Sequence, residues 1–303
     1  MFTRERRQEV LLRLQRDGRV EVGALAQELG VSEDTVRRDL RALAADGYLQ
    51  KTHGGAIALD PARMPWNARA HLAAGAKEAI GAAAAQLVRP GQTILLDTGS
   101  TVLSLVHALV AAREVRPLTV VTNSLDAAAA LDADPDITVH VTGGEWDRRS
   151  RFLTGPAAVA GVQRYRADWA FLGTCALDPG AGATSVDAGD AAVKVAMAGN
   201  AAQVAVLADR TKLGTTATHL VLAPEAIDVL VTDVDDVAQQ WRPHPGTAVV
   251  VVDPLGDDGR ATTAPTSEDI PEALAATGPP PSGENSTGRR QTARSAAPPL
   301  TDR

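Results

Sequence analysis

The sequence predicts an α/β protein with a helical amino-terminal segment, a larger doubly wound domain with a largely parallel sheet, and a disordered carboxyl-terminal tail. Three observations carry this prediction. The first segment has Leu, Arg and Glu at helical spacing, the middle alternates Val/Ile/Leu runs with Ala-rich stretches, and the end is rich in Pro, Gly, Ser, Thr and Ala. We therefore divide the chain into residues 1–58, a linker at 59–74, an α/β domain at 75–255 and a tail at 256–303.

Composition and charge exclude several classes of protein. The chain is 45% hydrophobic and 22% charged, which fits a soluble globular protein. It begins with charged residues, and no apolar run reaches the about 18 residues of a membrane span, so we expect a cytoplasmic protein without a membrane partner. The single cysteine, Cys175, cannot form an internal disulfide and argues against a cysteine-based zinc site. We expect no metal and no cofactor.

The amino-terminal segment has the pattern of three helices. The first is predicted over residues 3–18, and two more follow that are separated at Gly30. On the third helix, Val36, Leu40 and Leu43 form one apolar stripe that faces a core. This pattern is typical of a helix packed against its predecessors.

The outer face of the third helix carries polar and basic residues. Ser32 is a natural N-cap, Thr35, Arg38 and Arg41 project away from the apolar stripe, and Arg37 lies on its flank. Such a face suits the major groove of DNA, where Arg pairs bidentately with guanine. The helical pattern alone also fits a protein-interaction module with a charged face.

A hairpin follows the third helix. The stretch YLQKTHGGAI alternates and ends in a double glycine, which indicates a wing that places Lys51 and His53 on phosphates or in the minor groove. Residues 1–58 hold ten Lys/Arg and nine Asp/Glu, a balance of +1, within a chain of net charge −7. The positive charge for DNA binding must therefore be concentrated on this one face.

The middle segment reads as strands that alternate with helices, which predicts crossover units and parallel pairing. Several strands are continuous apolar runs, as expected for strands covered on both faces. The predicted strands are TILLD (93–97), LTVVT (118–122), ITVHV (137–141), ADWAFLG (167–173), QVAVLA (203–208), IDVLVT (227–232) and AVVVV (248–252). The predicted helices between them include 101–112, 124–132 and 187–200.

Polar turns end three of these strands. DTGST at 97–101 begins a helix, so its amides lie at a positive helix end where anions bind, although a plain capped turn has the same pattern. Thr122-Asn123-Ser124 and Gly143-Gly144 repeat the design, and three such ends at one sheet edge converge on one ligand. Farther along, Asp187, Asp190 and Lys194 fall near one helical face, where a cap or a solvated face is the alternative for each charge. The candidate effector contacts are Asp97, Thr98, Gly99, Ser100, Thr101, Asn123, Ser124, Gly143, Gly144, Asp187, Asp190 and Lys194.

The amino-terminal string RRQEVLLRLQRDGRVEVGALAQELGVSEDTVRRDLRALAADGYLQKTHGGA resembles the winged helix-turn-helix of the DeoR family of bacterial sugar-metabolism regulators. The resemblance lies in the S-x-x-T-V-R-R-D-L helix and the trailing H-G-G-A. It implies that operator DNA is contacted by Ser32, Thr35, Arg37 and Arg38, with help from Lys51 and His53.

The middle segment, over about residues 75–235, resembles the sensor domain of the same family in LLDTGST, LTVVTNS, GGEWDRRSRFLTGP, DWAFLG, DAAVKVAM and LADRTKLG. That domain is similar to ribose-5-phosphate isomerase and CoA-transferase-like folds, and the resemblance implies a pocket for a phosphorylated sugar or related metabolite. The implied contacts are Thr98, Gly99, Ser100, Thr101, Asn123, Ser124 and Lys194. The chain departs from the family in having Cys175 where an Asp is common, and Gly189-Asp190 where two Glu are common.

A sugar-phosphate isomerase is the alternative from another class. Isomerisation needs a poised carboxylate, but Thr174, Cys175 and Ala176 stand where the resembling isomerases carry carboxylates. Asp178 and Asp190 remain as possible bases. We therefore expect that the protein is not an enzyme but a transcriptional repressor of carbohydrate-metabolism genes. We also expect a homo-oligomer, because helix-turn-helix proteins read half-sites as dimers. A ligand-independent DNA binder stays open, as does the sign of the ligand's effect.

Overall fold

The computed structural model describes residues 2–59, 64–234, 236, 240–241, 244 and 246–253. The predicted tail at 256–303 lies outside the described residues. The chain divides into two compact units, the first ending at Leu72 and the second beginning at Ala73. No helix among the described residues is long and apolar enough to cross a membrane.

The first unit is a winged helix-turn-helix. Its elements in order are α1 (Thr3–Asp17), β1 (Arg19–Glu21), α2 (Val22–Leu29), α3 (Glu33–Ala45), β2 (Leu49–Lys51), β3 (Gly55–Ala58) and α4 (Trp66–His71). The three strands form an antiparallel sheet in the order β1-β3-β2, so the predicted hairpin is present and gains β1 as a third strand. Val36, Leu40 and Leu43 of α3 are buried in the core of this unit, as their spacing predicts. Helix α4 lies within the range predicted as a linker, 59–74, of which 60–63 lie outside the described residues.

The second unit is an α/β domain. Its helices are α5 (Ala74–Ala85), α6 (Ser100–Ala111), α7 (Leu125–Leu131), α8 (Gly155–Gln163) and α9 (Ala188–Gly199), with 3-10 turns at Arg113–Val115, Arg210–Lys212 and Pro224–Ala226. Its strands are β4 (Thr93–Leu96), β5 (Leu118–Thr122), β6 (Ile137–Val141), β7 (Glu145–Asp147), β8 (Phe152–Thr154), β9 (Ala167–Gly173), β10 (Ala176–Asp178), β11 (Gly182–Ser185), β12 (Ala201–Leu207), β13 (His219–Leu222), β14 (Val229–Thr232) and β15 (Ala248–Val251).

Seven strands form a parallel sheet in the order β15-β14-β12-β9-β4-β5-β6. Alternate residues of each strand enter cores on opposite faces: Ile94 and Leu96 pack on the face covered by α5, α6 and α7, and Leu95 packs on the face covered by α8 and α9. The predicted doubly wound sheet with both faces covered is therefore confirmed.

The strand order reverses between β4 and β9. From β4 the chain moves through β5 to β6 at one edge, and from β9 it moves through β12 and β14 to β15 at the other. Ligands of open parallel sheets bind outside the carboxyl ends of the strands at such a switch point. Residues 97–101 lie at that point, directly after β4.

Two pieces of the second unit depart from the sequence prediction. The GGEWDRRSRFLTGP stretch contains the antiparallel hairpin β7–β8, and β10, β11 and β13 form a small separate antiparallel sheet. Each of these strands is only three or four residues long, too short for a hydrophobic period to identify it. The predicted helix at 101–112 begins one residue earlier, at Ser100, because Gly99 takes the N-cap position.

Candidate functional site

The amino end of α3 is organised by its cap. The Ser32 hydroxyl accepts a hydrogen bond from the Thr35 amide at 3.3 Å, and the two hydroxyl oxygens are 2.9 Å apart. Ser32 directly precedes α3 and Thr35 lies in its first turn, whereas the residues on the inner face of the helix are buried. The geometry leaves the helix start open to a groove.

The basic residues of α3 are exposed, and two of them form exposed ion pairs within the helix. Arg37 Nη2 lies 2.6 Å from Glu33 Oε2, and Arg38 Nη2 lies 3.0 Å from Asp34 Oδ2. Arg41 is also exposed. Exposed ion pairs of this kind contribute about 0–1 kcal/mol, so a DNA phosphate can replace the acids at little cost.

The wing carries the other two predicted contacts. Lys51 ends β2 and His53 lies in the turn to β3, and both side chains are exposed. The turn is fixed by Gly55, where a Cβ atom would lie 1.9 Å from the Val20 carbonyl oxygen of β1. A close approach of two strands therefore explains the second glycine of HGGA.

A buried carboxylate that the sequence prediction missed holds this unit together. Asp39 of α3 accepts hydrogen bonds from Arg6 Nε at 2.6 Å and Arg7 Nε at 3.0 Å, both on α1. Asp39 is buried, and its charge is balanced by two guanidinium groups. The pairing fixes α3 relative to α1 and so orients the exposed face.

In the second unit, the turn after β4 has free backbone donors. Gly99 has a φ of +116°, a conformation that L side chains rarely adopt, and it begins α6. The first helical hydrogen bond runs from the Leu103 amide to the Gly99 carbonyl, so the amides of residues 100–102 have no intrahelical acceptor. An anion is the favoured partner for such a helix end.

Three charged residues of the predicted set form one buried cluster. Lys194 Nζ lies 2.6 Å from Asp97 Oδ2 and 2.7 Å from Asp190 Oδ1, and all three side chains are buried. Ser185, which the sequence prediction missed, donates to Asp190 Oδ2 at 2.7 Å. The structure thus brings Asp97, Asp190 and Lys194 together, and their charged groups form ion pairs with one another.

The cluster shifts the proton affinities of its members. Burial raises the pKa of Asp97 to about 6, although the Lys194 ammonium acts in the opposite direction. For Lys194, burial lowers the pKa, but the carboxylates of Asp190 and Asp97 outweigh it, and the net pKa is raised. Lys194 therefore stays charged in the physiological range, while Asp97 titrates near pH 6.

Several buried acceptor oxygens near the carboxyl ends of the strands have no hydrogen-bond partner among the described residues. They include Oδ1 of Asp97, at the end of β4, and Oδ1 of Asn123, at the end of the adjacent β5; the others are Thr154 Oγ1, Asp209 Oδ2 and Thr232 Oγ1. Asp97 and Asn123 are 1% and 0% exposed, and burying an acceptor without a donor costs about 1–3 kcal/mol. Hydroxyl groups of a ligand are the kind of donor that such oxygens bind.

The other polar residues expected to contact a ligand serve as helix caps. The Ser124 hydroxyl accepts from the Ala127 amide at 3.2 Å and caps α7, and the Asp187 carboxylate accepts from the Asp190 amide at 2.8 Å and caps α9. Asp187 is exposed, whereas Ser124 is buried. Ligand contacts at these two residues stay a prediction.

The β7–β8 hairpin lies across the ends of β4 and β5. Thr98 Oγ1 donates to the Arg151 carbonyl at 3.0 Å, the Leu153 amide donates to the Asn123 carbonyl at 2.8 Å, and Asn123 Nδ2 donates to the Leu153 carbonyl at 3.4 Å. The guanidinium of Arg151 pairs with Asp126, and this hydrogen-bonded partner raises the pKa of Arg151. The sequence prediction missed Arg151.

Glycines allow close packing within the hairpin and between the hairpin and α9. A Cβ atom on Gly144 would lie 2.4 Å from the Thr154 carbonyl oxygen, and one on Gly189 would lie 2.3 Å from Thr154 Oγ1. At Gly143, by contrast, a Cβ atom would meet nothing within 4 Å, and its φ of +73° is the constraint. The role of this glycine pair in the structure is close packing and turn geometry.

The carboxylates left as candidate bases for an isomerase are already engaged. Asp178 Oδ1 accepts from the Gly180 and Ala181 amides at 2.8 and 3.0 Å within a turn, and Asp190 pairs with Lys194. Cys175 Sγ lies 3.7 Å from Ser185 Oγ. Among the described residues, no group of three or more His, Cys, Asp or Glu side chains could hold a metal ion.

Comparison with known proteins agrees with both units. A family model described as the DeoR-like helix-turn-helix domain matches residues 6–62, and one described as the DeoR C terminal sensor domain matches residues 73–234. The HTH-type transcriptional regulator GolR of Listeria innocua is 33% identical over 235 residues, covering 77% of this chain and 91% of the relative. The HTH-type transcriptional repressor GlcR of Bacillus subtilis is 32% identical, covering 77% of this chain and 89% of the relative.

Among solved structures, ribose 5-phosphate isomerase A from Methanocaldococcus jannaschii is similar to part of the chain, with a TM-score of 0.34 and 20% identity over 45% of this chain and 53% of that chain. GolR and GlcR, which align along most of the chain, are both named as transcriptional regulators or repressors. The chain belongs to the DeoR family of transcriptional regulators.

Proposed function

We propose that this regulator is a repressor of carbohydrate-metabolism genes whose operator binding is controlled by a phosphorylated sugar or a related metabolite. It binds DNA as a homo-oligomer, because the exposed face of one α3 covers only one half-site. The name of the relative GlcR supports repression. Its proposed partners are the double-stranded operator, the metabolite and other copies of the chain.

In the proposed DNA complex, α3 enters the major groove. Ser32 and Thr35 at its start and Arg37, Arg38 and Arg41 along its exposed face contact bases or phosphates. Lys51 and His53 reach the backbone or the minor groove from the wing. The assignment is supported by the exposure of all these side chains except Thr35, which is half-buried.

The proposed effector site is the turn between β4 and α6. The observation that carries the proposal is the position of residues 98–101, which follow β4 at the switch point and lead into a twelve-residue helix whose amides at 100–102 have no intrahelical acceptor. The unpartnered oxygens of Asp97 and Asn123 lie at the same edge and suit a hydroxylated ligand. A sugar phosphate combines the two requirements.

The test is an acidic substitution in the turn. Ser100→Asp places a carboxylate where the phosphate binds, so we expect the rise in melting temperature caused by phosphorylated sugars to disappear, while DNA affinity stays unchanged. His107→Asp, on an exposed position of the same helix, is the matched control and keeps the response. An intact response in Ser100→Asp contradicts this placement of the phosphate.

A further inference from the structure

In the buried cluster of Asp97, Asp190 and Lys194, next to the proposed phosphate turn, the cation is already paired with the carboxylates. Lys194 is 5% exposed and lies within 2.7 Å of both Asp97 and Asp190, so its single positive charge faces two carboxylates. With both acids ionised the cluster carries a net charge of −1. An anion at the start of α6 therefore needs a cation from another element.

The backbone of Arg151 lies beside that turn. Its carbonyl accepts the hydrogen bond of the Thr98 hydroxyl at 3.0 Å, and two residues later Leu153 is hydrogen-bonded to Asn123. Arg151 has a φ of +61°, a left-handed conformation that residues other than glycine rarely adopt. The contacts on either side hold it there, between the ends of β4 and β5.

The side chain of Arg151 is held by an exchangeable partner. Nε donates to Asp126 Oδ2 at 2.7 Å, and Nη2 pairs with the other carboxylate oxygen. The guanidinium lies 5.9 Å from the centroid of the Trp146 ring, and the Arg151 side chain is 42% exposed. A half-exposed pair of this kind is stable alone but gives way to a better anion.

The ligand indicated by this site has an anionic group next to hydroxyl groups. Asn123, which contacts the Arg151 hairpin through its amide nitrogen, is fully buried and keeps an unpartnered Oδ1. Two features thus point to one place: a cation with an exchangeable acid, and an acceptor without a donor. Arginine also matches the planar geometry of two phosphate oxygens.

We propose that Arg151 is the cationic contact of the effector, and that its guanidinium exchanges the Asp126 carboxylate for the effector's phosphate. The inference rests on the proposed function. The same phosphate takes the Thr98 hydroxyl away from the Arg151 carbonyl, so one ligand breaks both the Asp126 ion pair and the Thr98 hydrogen bond of Arg151. The contacts of the β7–β8 hairpin therefore differ between the free and the ligand-bound protein.

The experiment is a calorimetric titration of the full chain with inorganic phosphate at pH 7.5. Arg151→Ala weakens phosphate binding by about tenfold, the order expected for one hydrogen bond to a charged group. Arg148→Ala removes the same charge from an exposed position of the same hairpin and changes the affinity by less than about twofold. Asp126→Asn strengthens binding, because Arg151 no longer has to leave a carboxylate.

A double variant separates exchange from a general charge effect. The gain from Asp126→Asn disappears in Asp126→Asn/Arg151→Ala if Arg151 is the group released, and it persists if removal of any acid suffices. Equal losses in Arg151→Ala and Asp126→Asn overturn the proposal, because they mean that the ion pair is only structural. Should Arg151→Ala not fold, Arg151→Gln takes its place in both comparisons, and unchanged or weaker binding by Asp126→Asn overturns the exchange.

The same titration distinguishes this inference from the proposed function. If the wild type binds phosphate, Ser100→Asp abolishes binding and Arg151→Ala binds as Arg148→Ala does, then only the role of Arg151 fails. If phosphate binding is absent in the wild type, the phosphate turn itself fails, and with it the exchange.

Discussion

Lys194 and its two carboxylates contribute the buried charges of the proposed effector site. The cluster is buried, and one ammonium serves both Asp97 and Asp190. Because burial raises the pKa of Asp97 to about 6, this carboxyl keeps its proton below that pH. Protonation of Asp97 therefore removes one negative charge from the cluster below about pH 6.

This titration predicts a pH-dependent affinity for anions. Sulfate, whose own charge is constant above pH 4, should bind more weakly as the pH rises from 5 to 7, since deprotonated Asp97 repels it. Divalent sulfate and one carboxylate about 8 Å apart interact by about 1 kcal/mol in water and about 4 kcal/mol near a protein surface, so the expected change is about fivefold to about a thousandfold. Asp97→Asn should remove the change, measured by sulfate titration at several pH values. The same pH dependence in both proteins would contradict the assignment to Asp97.

The arginines of α3 allow a second prediction on single residues. If Arg38 neutralises one DNA phosphate, Arg38→Ala flattens the log-log salt dependence of operator binding by about 0.9. A loss of affinity at unchanged slope identifies a base contact instead. Arg16→Ala, on the exposed end of α1, is the control for a lost positive charge. No change in either affinity or slope would exclude Arg38 from the interface.

Among the elements, the wing depends on one close approach. Gly55→Ala places a Cβ atom 1.9 Å from the Val20 carbonyl oxygen, which forces β3 away from β1. Overpacking of this kind costs about 1–3 kcal/mol, so we expect a lower melting temperature of the amino-terminal unit and weaker operator binding. At the neighbouring Gly54 a Cβ atom meets nothing within 4 Å, and Gly54→Ala should behave as the wild type. Equal behaviour of the two variants would refute this packing argument.

The strands of the large sheet were predictable because each combines an apolar run with a polar end. Burial on both faces imposes that pattern locally, so TILLD and LTVVT already indicate where β4 and β5 lie. The β7–β8 hairpin has no such pattern. Its position depends on Thr98 and Asn123, which are distant in sequence, and on the space left by Gly144.

The sequence located the turn that we propose as the effector site, but it did not reveal most of the contacts around that turn. The turn at 97–101 follows from a strand that ends before a helix, but the pairing of Asp97 with Lys194 joins residues far apart in the chain. Ser124 and Asp187 show a second limit: a polar residue before a helix is the same signal for a cap and for a ligand contact. No sequence motif marks Arg151, because what distinguishes it is a contact with Thr98, which is distant in the chain.

On the scale of the whole molecule, a DNA-binding unit and a sensor unit share one chain. For a ligand to change operator occupancy from 99% to 1%, its affinities for the DNA-bound and free forms must differ by about 5.5 kcal/mol. In a dimer two effector sites contribute to that difference. We therefore expect the effector response to become steeper with oligomerisation, as checked by titrating the effector at protein concentrations above and below the dimer dissociation constant. An identical response at both concentrations would contradict cooperation between subunits.

The central claim is that a phosphate ester bound at residues 98–101 controls DNA binding. Its most direct test is the fluorescence anisotropy of an operator fragment, selected from random DNA with the full chain, during titration with sugar phosphates and the matching unphosphorylated sugars. The account predicts that at least one phosphate ester changes operator affinity by tenfold or more, that its unphosphorylated sugar does not, and that Ser100→Asp binds the operator normally but ignores the ester. Operator affinity that no phosphate ester alters, or that Ser100→Asp regulates as the wild type does, would contradict it.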